Sequence, residues 1–170
     1  MDTPFREGSQ WLGDVAAVTL PCMYSCFGNT PLAAKFFLQA AHTQRPTGLL
    51  ANISNAASQD YSWDIGDYSL WWVHALWEYY LYSGDRGLIE ILYPNACRML
   101  LNQLSYRNKS GMLEDLPGWV FIDWAYLDRR GANSGYNAIF HIALQAFGKM
   151  ARLRGDSAMA ELAEKVADEL

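Results

Sequence analysis

A chain of 170 residues with 51% hydrophobic content fits one domain and carries enough apolar material for a substantial core. Its formal net charge of −5 excludes the basic footprint that nucleic acid or an anionic membrane demands of a partner. Neutral ligands remain compatible, and an aromatic share of 14%, with 7 Trp and 10 Tyr, suits either core packing or a ligand surface that stacks rings.

Residues 1–14, MDTPFREGSQWLGD, bring Asp2, Arg6, Glu7, Trp11 and Asp14 within a short distance. Breaking a glycosidic bond needs one protonated carboxylic acid for the departing oxygen and a second, ionised carboxylate to activate water or steady a cationic sugar. Asp2 and Asp14 would raise the pKa of Glu7 by like-charge repulsion, while Arg6 would hold one of them ionised. Trp11 offers a flat apolar face for a sugar ring. The same residues also read as a cap region, with Asp14 an ordinary helix N-cap and Trp11 part of the core. Residue types alone weigh the two readings equally.

Residues 14–27 have helical apolar spacing, with Pro21 expected to kink or split the helix and Gly28-Asn29 to end it. Thr30 reads as the N-cap of the next helix, with Pro31 at its first position and residues 45–48 ending it. Residues 49–64 are polar and read as a loop carrying Asp60, Trp63 and Asp64. From Ile65 or Asp67 to Ser83 a strongly apolar helix with a thin polar stripe should be buried on most of its circumference. Gly84 stops it, and Asp85 caps a further helix in which Pro94 marks a break or a kink. Residues 108–132 form a second long loop with Glu114, Asp115, Trp119, Asp123, Trp124 and Asp128. Its apolar stretches near Leu113 and at 120–122 suggest a small hairpin. Helices at 133–154 and from Asp156 onward complete the chain.

Tyr82-Ser83-Gly84-Asp85 and Leu153-Arg154-Gly155-Asp156 are equivalent corners, in which Gly takes the left-handed position and Asp caps the next helix. This is an αα-hairpin repeat. Tight corners alternate with long loops, so a stack of antiparallel helices gathers the N-terminal run and both Trp- and Asp-rich loops at one end. Cys22, Cys26 and Cys97 lack the spacing of a disulfide framework or a metal site, and fit either a reducing compartment, such as the cytoplasm, or simple core thiols. His74, among Trp71, Trp72 and Trp77, reads as a core histidine. No apolar run is as long as a membrane span, and no residue pattern calls for a cofactor or a metal.

The first fourteen residues resemble the signature of the glycoside hydrolase family 78 α-L-rhamnosidases. Asp2, Pro4, Arg6, Glu7, Trp11, Gly13 and Asp14 fit its pattern, whereas Thr3 stands where that family usually has Cys. The likeness continues through SGD at 83–85 and FIDW at 121–124 to the end of the chain. By that resemblance Glu7 is the general acid, and Asp2, Arg6 and Asp14 hold the rhamnose hydroxyls. It also implies an aromatic pocket around the deoxysugar, for which Trp63, Trp119 and Trp124 are the candidates.

The expected fold is all-α, with about six helices forming antiparallel αα-hairpins, roughly half of an (α/α)6 barrel whose closure number the resemblance supplies. Residues 1–170 are expected to be one domain, the N-terminal part of such a barrel. The expected function is removal of terminal α-L-rhamnosyl groups by inversion, with a rhamnosylated glycoside as partner. The alternative is an αα-repeat module that binds a glycan or a protein without chemistry. In the resembling family the general base comes from a later hairpin, so the chain is expected to be an inactive fragment that could self-associate through open barrel edges. Asp2, Asp60, Asp64, Asp123 and Asp128 are the only local stand-ins for that base.

Overall fold

Gly84 and Gly155 adopt φ of 69° and 81°, in the left-handed region that side-chain-bearing residues avoid. Immediately after them, the side chains of Asp85 and Asp156 accept the backbone N–H of Leu88 and Met159. One helix therefore ends and the next begins within two residues. The computed structural model describes residues 9–28, 30–54, 64–124 and 126–170. The expectations for Asp2, Arg6, Glu7, Asp60 and Trp63 lie outside the described residues.

The helices are α1 (Leu12–Asp14), a π turn (Val15–Thr19), α2 (Leu20–Phe27), α3 (Thr30–His42), α4 (Gly66–Ser83), α5 (Arg86–Leu104), α6 (Ser134–Arg154) and α7 (Ser157–Asp168). The first three segments are contiguous, so the described residues make six rods paired into three αα-hairpins. The expected all-α half-barrel is what forms. Pro21 shapes the first rod: it lacks an N–H, and its ring would strike the carbonyl four residues back in an unbroken α-helix. The chain widens just ahead of it, where the N–H of Leu20 reaches back to the carbonyl of Val15. Pro94, by contrast, does not interrupt α5; it lies on the exposed side, where water can take up the carbonyl it leaves unpaired. Thr30 is the first residue of α3 rather than a residue before it, a shift of one position.

The first rod, α4 and α6 run in one direction and form one layer, with α4 packed between the other two. The return helices lie behind them, and α3 packs against α5 and α7 against α6. The corners collect at one end. Tyr24 stacks on Tyr82 at 4.7 Å, the Tyr93 hydroxyl donates to Asp156 at 3.0 Å, and Arg154 pairs with Glu90 at 2.6 Å. A single apolar core runs between the layers, its largest fully buried side chains being Trp72, Tyr136, Phe37, Phe140 and Phe147.

The hairpin expected between residues near 113 and 120–122 does not form. Arg107 pairs with Leu113 instead, because Asn108 gathers the N–H groups of Ser110 and Met112 into a tight turn. Trp119 pairs in parallel with Ile65. Cys22 and Cys26 are exposed rather than buried, since they sit on the outer side of the first rod. His74 is only half-buried, 3.8 Å from Glu78. Val18, Phe27 and Leu32 leave apolar side chains in water along the first rod and the start of α3.

Because Asp156 both caps α7 and receives the Tyr93 hydroxyl, Asp156→Ala is expected to lower stability in urea unfolding by roughly 1–2 kcal/mol. Phe147→Ala, which empties the middle of the core, should cost roughly 3–5 kcal/mol. An unchanged midpoint for Asp156→Ala would discard the corner cap as a source of stability.

Candidate active site

The ends of the three rods opposite the corners are joined through backbone bonds. Leu12 N–H donates to the Asn52 carbonyl at 2.7 Å and Ser54 N–H to the Gln10 carbonyl at 3.1 Å, which ties the N-terminal run to the first long loop. Trp119 N–H donates to the Asp64 carbonyl at 2.9 Å, which ties that loop to the second. Beneath them Arg45 grips the Asp64 carboxylate with two nitrogens, Nε at 3.1 Å and Nη2 at 3.3 Å, and both side chains are buried. All three loops therefore meet at one mouth.

Asp14 stands on the exposed side of the first rod, and its carboxylate receives the Tyr68 hydroxyl at 3.2 Å. It lies within the helical run and makes no side-chain capping bond, so the N-cap reading fails. The neighbouring glycine explains the approach: the Tyr68 ring lies so close to Gly13 that an added Cβ would collide with it. Burial and then the charge of Asp14 raise the Tyr68 pKa, which keeps the phenol a hydrogen-bond donor. Trp11 is half-buried at the start of α1, where it pairs with Ile53.

Phe121 connects this carboxylate to the second loop. Its buried ring meets Tyr68 edge-on at 5.8 Å, Trp119 at 4.7 Å and Trp124 edge-on at 5.1 Å. Trp119 and Trp124 lie 6.1 Å apart, and Trp124 keeps 83% of its surface in water. The four rings make a wall that starts at Asp14 and ends at an open indole. Such a wall can carry the apolar face of a sugar while the carboxylate takes its hydroxyls.

The wall hangs on an unusual turn. Ile122 and Asp123 take φ of 46° and 61°, a left-handed conformation that is strained for a β-branched residue such as Ile122. Asp67 Oδ1, on the first turn of α4, accepts the Phe121 N–H at 3.2 Å. Arg129 donates from Nε to the Phe121 carbonyl at 2.8 Å and from Nη2 to the Asp123 carbonyl at 2.9 Å. Burial pushes the Asp67 carboxyl up to about 6, against the opposing pull of its backbone N–H partners and of Arg129.

Of the expected site residues, Asp14, Trp119 and Trp124 are thus brought into one cluster, and Trp11 flanks the joint between the N-terminal run and the first loop. Among the described residues, three of the stand-ins for a base are otherwise engaged: Asp64 in the buried ion pair, Asp123 with the Trp124 N–H, and Asp128 with Arg130, which holds its carboxyl far below the usual range. Sequence reading missed Tyr68, Phe121, Asp67 and Arg129. Asp67 had a signal, since a carboxylate in the first turn of a mostly buried helix needs a partner.

A family model for the bacterial α-L-rhamnosidase six-hairpin glycosidase domain matches residues 1–170. Among solved structures, the GH78 family rhamnosidase of Bacillus sp. GL1 superposes with a TM-score of 0.84 at 24% identity, covering 95% of this chain and 17% of that one. A Klebsiella oxytoca rhamnosidase with rhamnose bound also gives 0.84 at 24% identity, over 99% of this chain and 33% of its own. An α-L-rhamnosidase from Dictyoglomus thermophilum gives 0.71 at 19% identity, over 95% and 18%. At these identities the likeness shows the fold, and the chain spans a third or less of the length of each structure. No curated protein matches the sequence.

The raised Asp67 pKa fixes the sign of a pH effect. A carboxyl at about 6 when folded and 3.8 when unfolded binds its proton more tightly in the folded state. Its stabilising contribution is therefore full below about pH 4 and lost as pH rises through about 6. Asp67→Asn removes this term, so wild type should lose on the order of 3 kcal/mol relative to the variant between pH 4 and pH 7. Parallel pH profiles of unfolding free energy for the two proteins would refute the shift.

Proposed function

Because the chain belongs to the bacterial α-L-rhamnosidase six-hairpin glycosidase domains, we propose that its loop mouth is the sugar-binding part of a glycoside hydrolase site that releases terminal α-L-rhamnosyl groups. The observation that carries this reading is the Asp14 carboxylate joined through Tyr68 and Phe121 to the exposed ring of Trp124. Carboxylate and ring face suit the two sides of a deoxysugar, one lined with hydroxyls and the other apolar. Glu7 acts as the general acid, Asp2, Arg6 and Asp14 hold hydroxyls, and Trp11, Trp63, Trp119 and Trp124 supply ring faces.

The reaction is single-displacement inversion. It needs a second carboxylate roughly 6.5–9.5 Å from the acid, with a water between them. Asp64, Asp123 and Asp128 are committed to other partners, which makes them poor bases and fits a base contributed by a later hairpin of the barrel. The 170 residues then act as one domain of a longer catalytic barrel. Val18, Phe27 and Leu32, left in water, support self-association of the chain when it is isolated, and sedimentation velocity over a concentration series reads this directly. A monomer at all concentrations would refute self-association.

In a full-length parent, Glu7→Gln should slow turnover of a rhamnoside with a poor leaving group by roughly a hundredfold to ten-thousandfold. An activated aryl rhamnoside, which needs less protonation, should suffer less. Equal losses on both substrates would assign Glu7 a structural role. The 170-residue chain alone should turn over an aryl α-L-rhamnoside far below the parent's rate; sugar binding by the parent without any hydrolysis would instead favour a non-catalytic glycan-binding module.

A further inference from the structure

We propose that Asp67 and Arg129 are a pair of positioning residues that hold the 121–124 turn by its backbone and so fix the exposed ring face of Trp124 for the sugar. The proposal rests on the functional reading above, since it assigns these two residues to the same site.

Two consecutive left-handed residues, one of them β-branched, persist only where the surroundings over-determine them. The turn Phe121-Ile122-Asp123-Trp124 is such a case. On one edge the Asp67 carboxylate accepts the Phe121 N–H. On the other edge Arg129 spans the turn, one nitrogen on the Phe121 carbonyl and another on the Asp123 carbonyl. The guanidinium is suited to this because its donors are fixed in a planar fork, whereas a Lys ammonium would supply one freely rotating point charge. Asp123 completes the turn by accepting the Trp124 N–H at 2.8 Å, and the Ile122 side chain packs beside Gly135, where a Cβ would crowd it.

Both residues act through the backbone rather than by contact with a ligand. Asp67 is buried beneath the wall, and its bond ends on a main-chain N–H. The chemistry asked of position 67 is that of an acceptor. Asn keeps one acceptor oxygen in the same place, whereas Ala leaves the Phe121 N–H without its partner. The chemistry asked of position 129 is a two-pronged donor, which Lys does not reproduce.

The experiment uses the full-length parent, in which the barrel is complete, and two readouts. Near-ultraviolet circular dichroism reports the coupled rings of Trp119, Phe121 and Trp124 whether or not sugar binds, and Trp124→Ala gives the share of the signal that depends on the exposed indole. Titration with L-rhamnose, followed by saturation-transfer NMR, reports the site. Asp67→Ala and Arg129→Lys should each remove at least half of the Trp124-dependent band and weaken L-rhamnose at least tenfold, with the far-ultraviolet helix signal retained. Asp67→Asn should keep both. If Asp67→Ala fails to fold, Arg129→Lys, which leaves the core intact, carries the decision. An unchanged band in Arg129→Lys overturns the proposal, as does an Asp67→Asn variant as impaired as Asp67→Ala. If wild type binds no L-rhamnose, the functional reading fails, while the circular dichroism still decides whether the pair orders the turn.

Discussion

Reversing the chain within two residues, at Gly84-Asp85 and Gly155-Asp156, is the constraint from which the rest of the molecule follows. A glycine free to enter the left-handed region and an aspartate able to cap the next helix are both needed for so tight a corner. With the corners gathered at one end, the long connections have only the other end to occupy. Their polar side chains and unpaired backbone groups must be satisfied there by one another. The observed backbone bonds from Leu12 to Asn52, from Ser54 to Gln10 and from Trp119 to Asp64 are that satisfaction. The site is thus assembled at the place where the fold leaves its irregular backbone.

The Arg45–Asp64 pair shows how such an assembly is kept rigid. Removing two charges from water is costly, and a buried ion pair often adds little net stability over an apolar replacement. Its value here is geometric. Asp64 is held by its side chain against Arg45 while its carbonyl receives Trp119, so one residue fixes the relation between the end of α3 and the second loop. Losing either partner would strand a buried charge at the base of the mouth.

The wall above this base combines strain with support. Phe121 is buried and touches three other rings, so its place is set by packing, whereas Trp124 is exposed and takes its orientation from the strained turn before it. A ligand-facing ring on a loop is useful only if the loop does not have to be ordered at the moment of binding. Asp67 and Arg129 supply that order in advance, at the cost of a carboxylate kept in a poorly solvating place. Asp67 illustrates the general pattern in which a local rule, here the exclusion of charge from a helix core, is broken next to a site.

The sequence by itself determined the helices, their corners and the end of the stack at which the loops gather, because these depend on local chemistry: apolar periodicity, left-handed glycine, capping aspartate and the lengths between them. Residues 83–85 and 154–156 could be read as corners without knowing what they touch. It also carried the family, through the motif from Asp2 to Asp14 and the FIDW run. Only the tertiary structure decided the contacts between elements. That Pro21 is met by a π turn, that Trp119 pairs with Ile65 rather than forming a hairpin with the 113 region, and that Tyr68 reaches Asp14 across Gly13 all depend on partners more than forty residues apart in sequence or on packing that no local pattern encodes. Arg129 belongs to the same class, and Asp67 signalled only that it needed a partner, not which one. They act on a backbone turn, and a backbone turn offers a sequence reader no side-chain signature of the groups that hold it.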